Sequence, residues 1–238
     1  MTRCKLTDLL QLKIILTNDD GIDAPGLECL AKIVAPITVP AVVAPREAHS
    51  GVGHRVTCHY PIAVQRLSEG RYSVTGTPAD CARLAIKQFA TDADWLIAGI
   101  NAGANLGSDV YQSGTVAAAR EAAILGVKAM AISQYISRDH PIDWELTRQH
   151  AEAIVTLLLS NALPERCYWN VNLPHPLDRN TQLAPVFCEL DRLPHQYTYR
   201  RDGDAYHYVG TIHERPREPG KDVAVCFGGS VAVTQLTI

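Results

Sequence analysis

The tetrapeptide Asn18-Asp19-Asp20-Gly21 sets two carboxylates side by side, directly after the short apolar run KIILTN over 13–18. Adjacent like charges raise each other's pKa unless a cation neutralises them, and a hard divalent ion is the economical candidate. The same residue types also build tight turns, and the fragment alone leaves both readings standing. A second polar loop, PREAHSG over 45–51, carries Ser50, whose hydroxyl oxygen can serve a metal, in an otherwise ordinary loop composition. A third, NAGANLGSD over 101–109, is dense in small residues that allow close backbone approach. It leads to Ser113-Gly114-Thr115, where a helix opens and free amides at the positive end of its dipole suit a phosphate. Ser113 and Thr115 also read as plain helix caps. Taken together, acid in one loop and anion-binding amides in another point to phosphoryl chemistry.

Loops of this kind work only if the chain brings them to one edge. To about residue 175, β-branched apolar runs alternate with helix-period segments, the pattern of βαβ units around a mainly parallel sheet. In such sheets ligands bind beyond the carboxyl ends of the strands, which is where all three loops fall. Strands are expected at 13–18, 38–45, 94–101 and 127–134, with Pro40 marking a bulge or an edge position in the second. Helices are expected from Pro25 (PGLECLAKIVA), after a Thr77-Pro78-Ala79-Asp80 start signal (PADCARLAIKQFA), over 116–126 and over about 142–160. From 176 to 238 the texture turns to Tyr, Val and Thr with turn residues between, which reads as β-rich, and HERPREPGK reads as an exposed loop. The expectation is one domain over 1–238: an α/β core and a β-rich C-terminal portion.

Composition removes several classes. A chain of 238 residues with 47% apolar side chains has material for a packed core. Its formal charge of −3, from 22 basic and 25 acidic residues dispersed along the chain, offers no stripe for a nucleic-acid polymer. The seven cysteines (4, 29, 58, 81, 167, 188, 226) contain no Cys-x-x-Cys pair and read as reduced and mostly buried. No apolar run has the length to span a bilayer, and the opening MTRCKLTDLLQLK lacks the apolar centre and cleavage site of a signal peptide, so a cytoplasmic, membrane-free protein is expected. His49, His54 and His59, five apart, fit neither a helical nor a strand pair and are read as surface or structural groups. Gly-x-Ser-x-Gly, P-loop and His-Glu-x-x-His runs are missing from the sequence, which removes the corresponding hydrolase, NTPase and metalloprotease readings.

The segments LTNDDGIDAPGL, VVAPREAHSG, GTPADC, AGINAGANLGSDVYQSGTVAAAREA and KDVAVCFGGSVAVTQLT, in that order, resemble the SurE family of stationary-phase survival proteins with 5′/3′-nucleotidase activity. The resemblance implies a Rossmann-like core and one divalent ion per subunit, Mg²⁺ or Mn²⁺, held by Asp19, Asp20, the Ser50 side chain and the Asn101 side chain. It implies phosphate contacts from Asn105, Ser113, Gly114 and Thr115. Further implications are nucleoside 5′- and 3′-monophosphates, and in some cases short polyphosphate, as substrates, and a homodimer or homotetramer built through the C-terminal portion. Asp23 adds a third carboxylate to the first loop and Thr17 stands where a serine is frequent; neither removes a ligand. The chain ends at QLTI, where the family usually adds a helix.

On this reading the ion orients and acidifies a water for in-line attack on phosphorus, and one of Asp19 and Asp20 doubles as base. A group to protonate the leaving alkoxide is not assigned. Two rivals stand beside it: an aspartyl-phosphate phosphatase, against which the adjacent rather than alternate spacing of the pair argues, and a nucleotide sensor without turnover, which the full set of matched ligands disfavours.

Overall fold

The computed structural model describes residues 11–137, 140–175, 180, 183–210 and 212–238; Cys4, within the opening ten residues, lies outside that set. The chain first lays down β1 (Ile14–Thr17), α1 (Pro25–Val34) and β2 (Ala41–Pro45), then the hairpin β3 (Val64–Ser68) and β4 (Arg71–Val74). Next come α2 (Pro78–Leu84), β5 (Trp95–Ala102), a 3-10 turn (Gly107–Tyr111), α3 (Gly114–Ile124) and β6 (Lys128–Gln134). The remaining elements are α4 (Trp144–Ser160), β7 (Cys167–Leu173), β8 (Pro185–Phe187), β9 (Tyr199–Asp202), β10 (Ala205–Tyr208), α5 (Asp222–Phe227) and β11 (Val231–Thr237).

Nine strands form one sheet in the order β3-β4-β2-β1-β5-β6-β7-β11-β8, parallel from β4 to β7. The chain leaves β1 toward β2 on one side and returns to β5 on the other, so the topological switch point lies between the tips of β1 and β5. Strand alternation sends Ile14 and Leu16 to one face and Ile15 to the other. On the first face α1 and α4 close over the sheet with Leu27, Leu30, Ile33, Ile154, Val155 and Leu158; on the second α2 and α3 do so with Cys81, Ala82, Val116, Ala119 and Ala122. The small side chains of α3 seat it close to the strands. Gly26, in the first turn of α1, approaches β5 so closely that a Cβ there would stand 1.9 Å from the Ile100 carbonyl oxygen.

The predicted start of α2 is realised as a capping box: the Thr77 hydroxyl accepts from the Asp80 amide (3.2 Å) and Asp80 Oδ2 accepts from the Thr77 amide (3.0 Å). Its tail, Ala85–Phe89, widens into a π-turn instead of continuing the α-helix. Pro40 corrects the expectation for the second strand. β2 starts only at Ala41 and runs between β1 and β4 in the sheet interior, because a residue without an amide proton can precede but not sit inside a central ladder. The hairpin β3–β4 lies outside the sequence expectations, and β3, with all five residues exposed, has no apolar face to announce it. The C-terminal portion is β-rich, and β8 and β11 join the main sheet while β9 and β10 form a separate two-stranded ribbon. Within it α5 replaces part of an expected strand, its first residue Asp222 being fully buried. HERPREPGK is not uniformly exposed either, since Arg215 is buried within it. The six cysteines among the described residues are free thiols, four of them buried, and no helix among those residues is long and apolar enough to cross a membrane.

Candidate functional site

Asp19 sits just beyond the tip of β1 with 5% of its surface exposed. Its carboxylate is seated against the first turn of α3. The Thr115 hydroxyl donates to Asp19 Oδ1, and a Cβ at Gly114 would lie 3.0 Å from Oδ2, so only glycine lets the helix start come this close. The surrounding loops are braced to match: the His49 amide donates to the Asp19 carbonyl (2.7 Å), the Ile22 amide to the Pro45 carbonyl (2.8 Å), and Arg71 Nη2 to the Ile22 carbonyl (2.6 Å). Burial is the main cause that pushes the Asp19 carboxyl up to about 6; the Thr115 hydroxyl works against it and the neighbouring Asp20 charge adds to it. Among the described residues no basic side chain forms an ion pair with either carboxylate.

Asp20 reaches across the switch point, accepting from the Ala102 amide at the end of β5 (3.2 Å). Asn101, one residue earlier, spends its NH₂ on the Gly103 carbonyl (2.6 Å), which leaves its side-chain oxygen without a hydrogen-bond partner among the described residues. Ser50 is exposed on the loop whose His49 amide holds Asp19. Asp23 is exposed, and Thr17 is buried with its hydroxyl unpartnered among the described residues. Two carboxylates, an amide oxygen and a hydroxyl thus border one loop cluster; among the described residues no group of three or more His, Cys, Asp or Glu side chains gathers here or elsewhere. An oxygen-only donor set around a buried Asp19 and a half-buried Asp20, neither of them ion-paired among the described residues, fits a hard divalent cation.

The predicted phosphate contacts divide. Ser113 caps α3, its hydroxyl accepting from the Val116 amide (3.1 Å), and Thr115 is committed to Asp19. Gly114 keeps the amide that a helix start leaves over. Asn105 is turned into the sheet: its Nδ2 donates to Ser133 Oγ (2.7 Å) and its backbone is held by Asn170 and Asn172 of β7 at 2.8–3.0 Å. Of the histidines, His54 is half-buried and bonds Glu121 at 2.6 Å, a structural role; His59 is exposed.

Sequence reasoning missed a set of C-terminal residues that grip the 105–112 loop from outside. Asp222 accepts from the Gly107 amide (2.7 Å), Arg215 Nη1 donates to Asp109 Oδ2 (2.8 Å), and His195 Nε2 bonds Asp109 Oδ1 (2.9 Å). The Ser113 amide in turn donates to the Asp109 carbonyl (3.0 Å), so this grip reaches the start of α3. The available signal was Asp109 itself, an acidic residue that the phosphate reading of its loop leaves unexplained. Two cavities, of about 800 and 1090 Å³, border this loop and are not lined by Asp19, Asp20, Ser50 or Asn101.

Comparison with known proteins bears on this geometry. The profile of a family described as survival protein SurE matches residues 14–192. A protein of Synechocystis sp., named provisionally as a 5′-nucleotidase, is 47% identical over 95% of this chain and 100% of its own. The 5′-nucleotidase SurE of Paramagnetospirillum magneticum is 35% identical over 99% of this chain and 94% of its own. Among solved structures, the SurE protein of Aquifex aeolicus superposes with a TM-score of 0.81 at 30% identity, covering 94% of this chain and 93% of that one.

Proposed function

From the premise that the chain belongs to the SurE family, we propose that it is a divalent-metal-dependent phosphomonoesterase that hydrolyses nucleoside 5′- and 3′-monophosphates, and short polyphosphate, to release phosphate. Relatives named as 5′-nucleotidases supply the substrate class. The observation that carries the metal dependence is the buried Asp19 beside Asp20 at the switch point, with no basic partner among the described residues. Asp19, Asp20, the Ser50 hydroxyl and the Asn101 side-chain oxygen are the residues that would hold Mg²⁺ or Mn²⁺. When bound, the ion supplies charge for the phosphoryl oxygens and acidity for a water.

The chain's own groups do the rest. Thr115 fixes the Asp19 carboxylate, and the Ala102 amide fixes one oxygen of Asp20, leaving its other oxygen to take the proton of the attacking water. The Gly114 amide and the dipole of α3 favour the charge that develops on phosphorus-bound oxygen. The test is phosphate release from 5′-AMP, 3′-AMP and tripolyphosphate with Mn²⁺, with Mg²⁺ and with chelator. Release that depends on the ion and stops on chelation is expected; undiminished release in chelator would overturn the metal dependence.

A further inference from the structure

We propose that the cavity of about 800 Å³ between the 107–112 turn and the β9–β10 ribbon is the subsite for the base of the nucleotide, with Tyr197, Tyr199, Tyr208 and His195 as its stacking walls and Gln112 as its link to the phosphate end. The inference rests on the nucleotidase reading and adds to it where the leaving nucleoside lies.

Volume comes first. A cavity of about 800 Å³ lies within the roughly 300–1,000 Å³ typical of small-molecule sites. Its walls are the second point. Tyr197 lies over His195 with centroids 5.1 Å apart and planes 21° apart, and Tyr199 meets Tyr208 edge-on at 5.7 Å. These tyrosines remain 52%, 57% and 52% exposed, so about half of each stays open to a ligand. A heteroaromatic base is the ligand such rings take up, because every base offers a π-face and an edge of hydrogen-bonding groups. Polar partners for that edge line the same cavity: Gln112, Glu214 and Asp109.

The floor is built rather than incidental. Arg215 has 7% of its side chain exposed and holds Asp109 at 2.8 Å, and its Nε and Nη2 are unpartnered among the described residues. His195 is fixed by the same carboxylate at 2.9 Å, which sets the ring plane that Tyr197 stacks on. Position is the third point. Gln112 Nε2 donates to the Tyr197 hydroxyl (3.0 Å), and the next residue along the chain is Ser113, the cap of α3. Gln112 thus joins the cavity wall at Tyr197 to the residue that leads directly into the start of α3, the side on which a ligand's anionic group would lie.

Two measurements test this on the full chain: equilibrium binding of adenosine, which carries no phosphate, and kcat/KM for 5′-AMP relative to ribose 5-phosphate, which carries no base. Tyr197→Ala should weaken adenosine binding and lower that kcat/KM ratio by about 5- to 150-fold, the range expected for losing one base-stacking ring. Tyr197→Phe, which keeps the ring and loses the Gln112 hydrogen bond, should retain most of both. Adenosine that fails to bind, or binds Tyr197→Ala as well as the unmodified protein, overturns the subsite. So does an equal loss on both substrates with altered elution on size exclusion, which assigns the tyrosines to assembly. Failure of the unmodified protein to release phosphate from either substrate would instead remove the nucleotidase reading, while adenosine binding still decides the subsite.

Discussion

Asp19 and Glu121 are both carboxylates buried at α3, 5% and 1% exposed, yet their surroundings treat them oppositely. Burial alone would raise Glu121, but hydrogen bonds from His54 and Arg83, each at 2.6 Å, and the Arg83 charge hold it below the usual carboxylate range. Asp19 receives the Thr115 hydroxyl and faces a second carboxylate, and it is pushed up to about 6. At Glu121 the chain supplies the counter-charge itself. At the switch point no described basic side chain does so, and the proposed divalent ion would be the positive partner.

The contrast can be broken by substitution. The largest effect belongs to Asp20→Asn, which removes charge from the proposed metal site and should lower turnover of 5′-AMP with Mn²⁺ by about 10³-fold while the fold is retained; circular dichroism and steady-state kinetics check both halves. Glu121→Gln should act the other way round, costing about 2 kcal/mol in urea unfolding with an unchanged m-value and little change in kcat. That figure is set below the usual cost of breaking a buried pair because Arg83 is 42% exposed and partly solvated.

Stability in chelator sharpens the comparison. A carboxyl that holds its proton more tightly folded than unfolded costs stability above its folded value, and the cost fades as pH falls toward the ordinary value of 3.8. Asp19→Asn should therefore stabilise the metal-free protein by roughly 1–2 kcal/mol at pH 7.5, with the gain shrinking between pH 6 and pH 4. Glu121 has the opposite sign. Its contribution is present above the ordinary value of 4.5 and lost as pH falls through its lower folded value, so the gap between Glu121→Gln and the unmodified protein should close in acid. Thermal melts of the three proteins across pH 4–7.5 read both trends at once.

How much of this was legible in the sequence depends on which interactions are local. The strands that end at or next to Asp19 and Asn101 and the capping box at Thr77 are local patterns, and the structure has these elements where the pattern puts them. The commitment of Thr115 to Asp19 spans 96 residues, and the turn of Asn105 toward Ser133 spans 28; neither leaves a periodic signal. The grip of Asp222 on Gly107 crosses 115 residues and falls in a stretch whose Val and Cys content imitates a strand. Arg215 was hidden by its charged, proline-rich neighbours, since composition cannot reveal a single residue turned inward against Asp109.

The most direct test of the central claim is the Tm shift that saturating Mn²⁺ produces at pH 7.5 in the unmodified protein and in Asp19→Asn. Binding at about 100 times Kd is worth about 2.7 kcal/mol, which for a chain of this size is a rise of about 5–10 °C. That rise is expected in the unmodified protein and not in Asp19→Asn. No shift in the unmodified protein, or an equal shift in both, would contradict a cation held at the tip of β1.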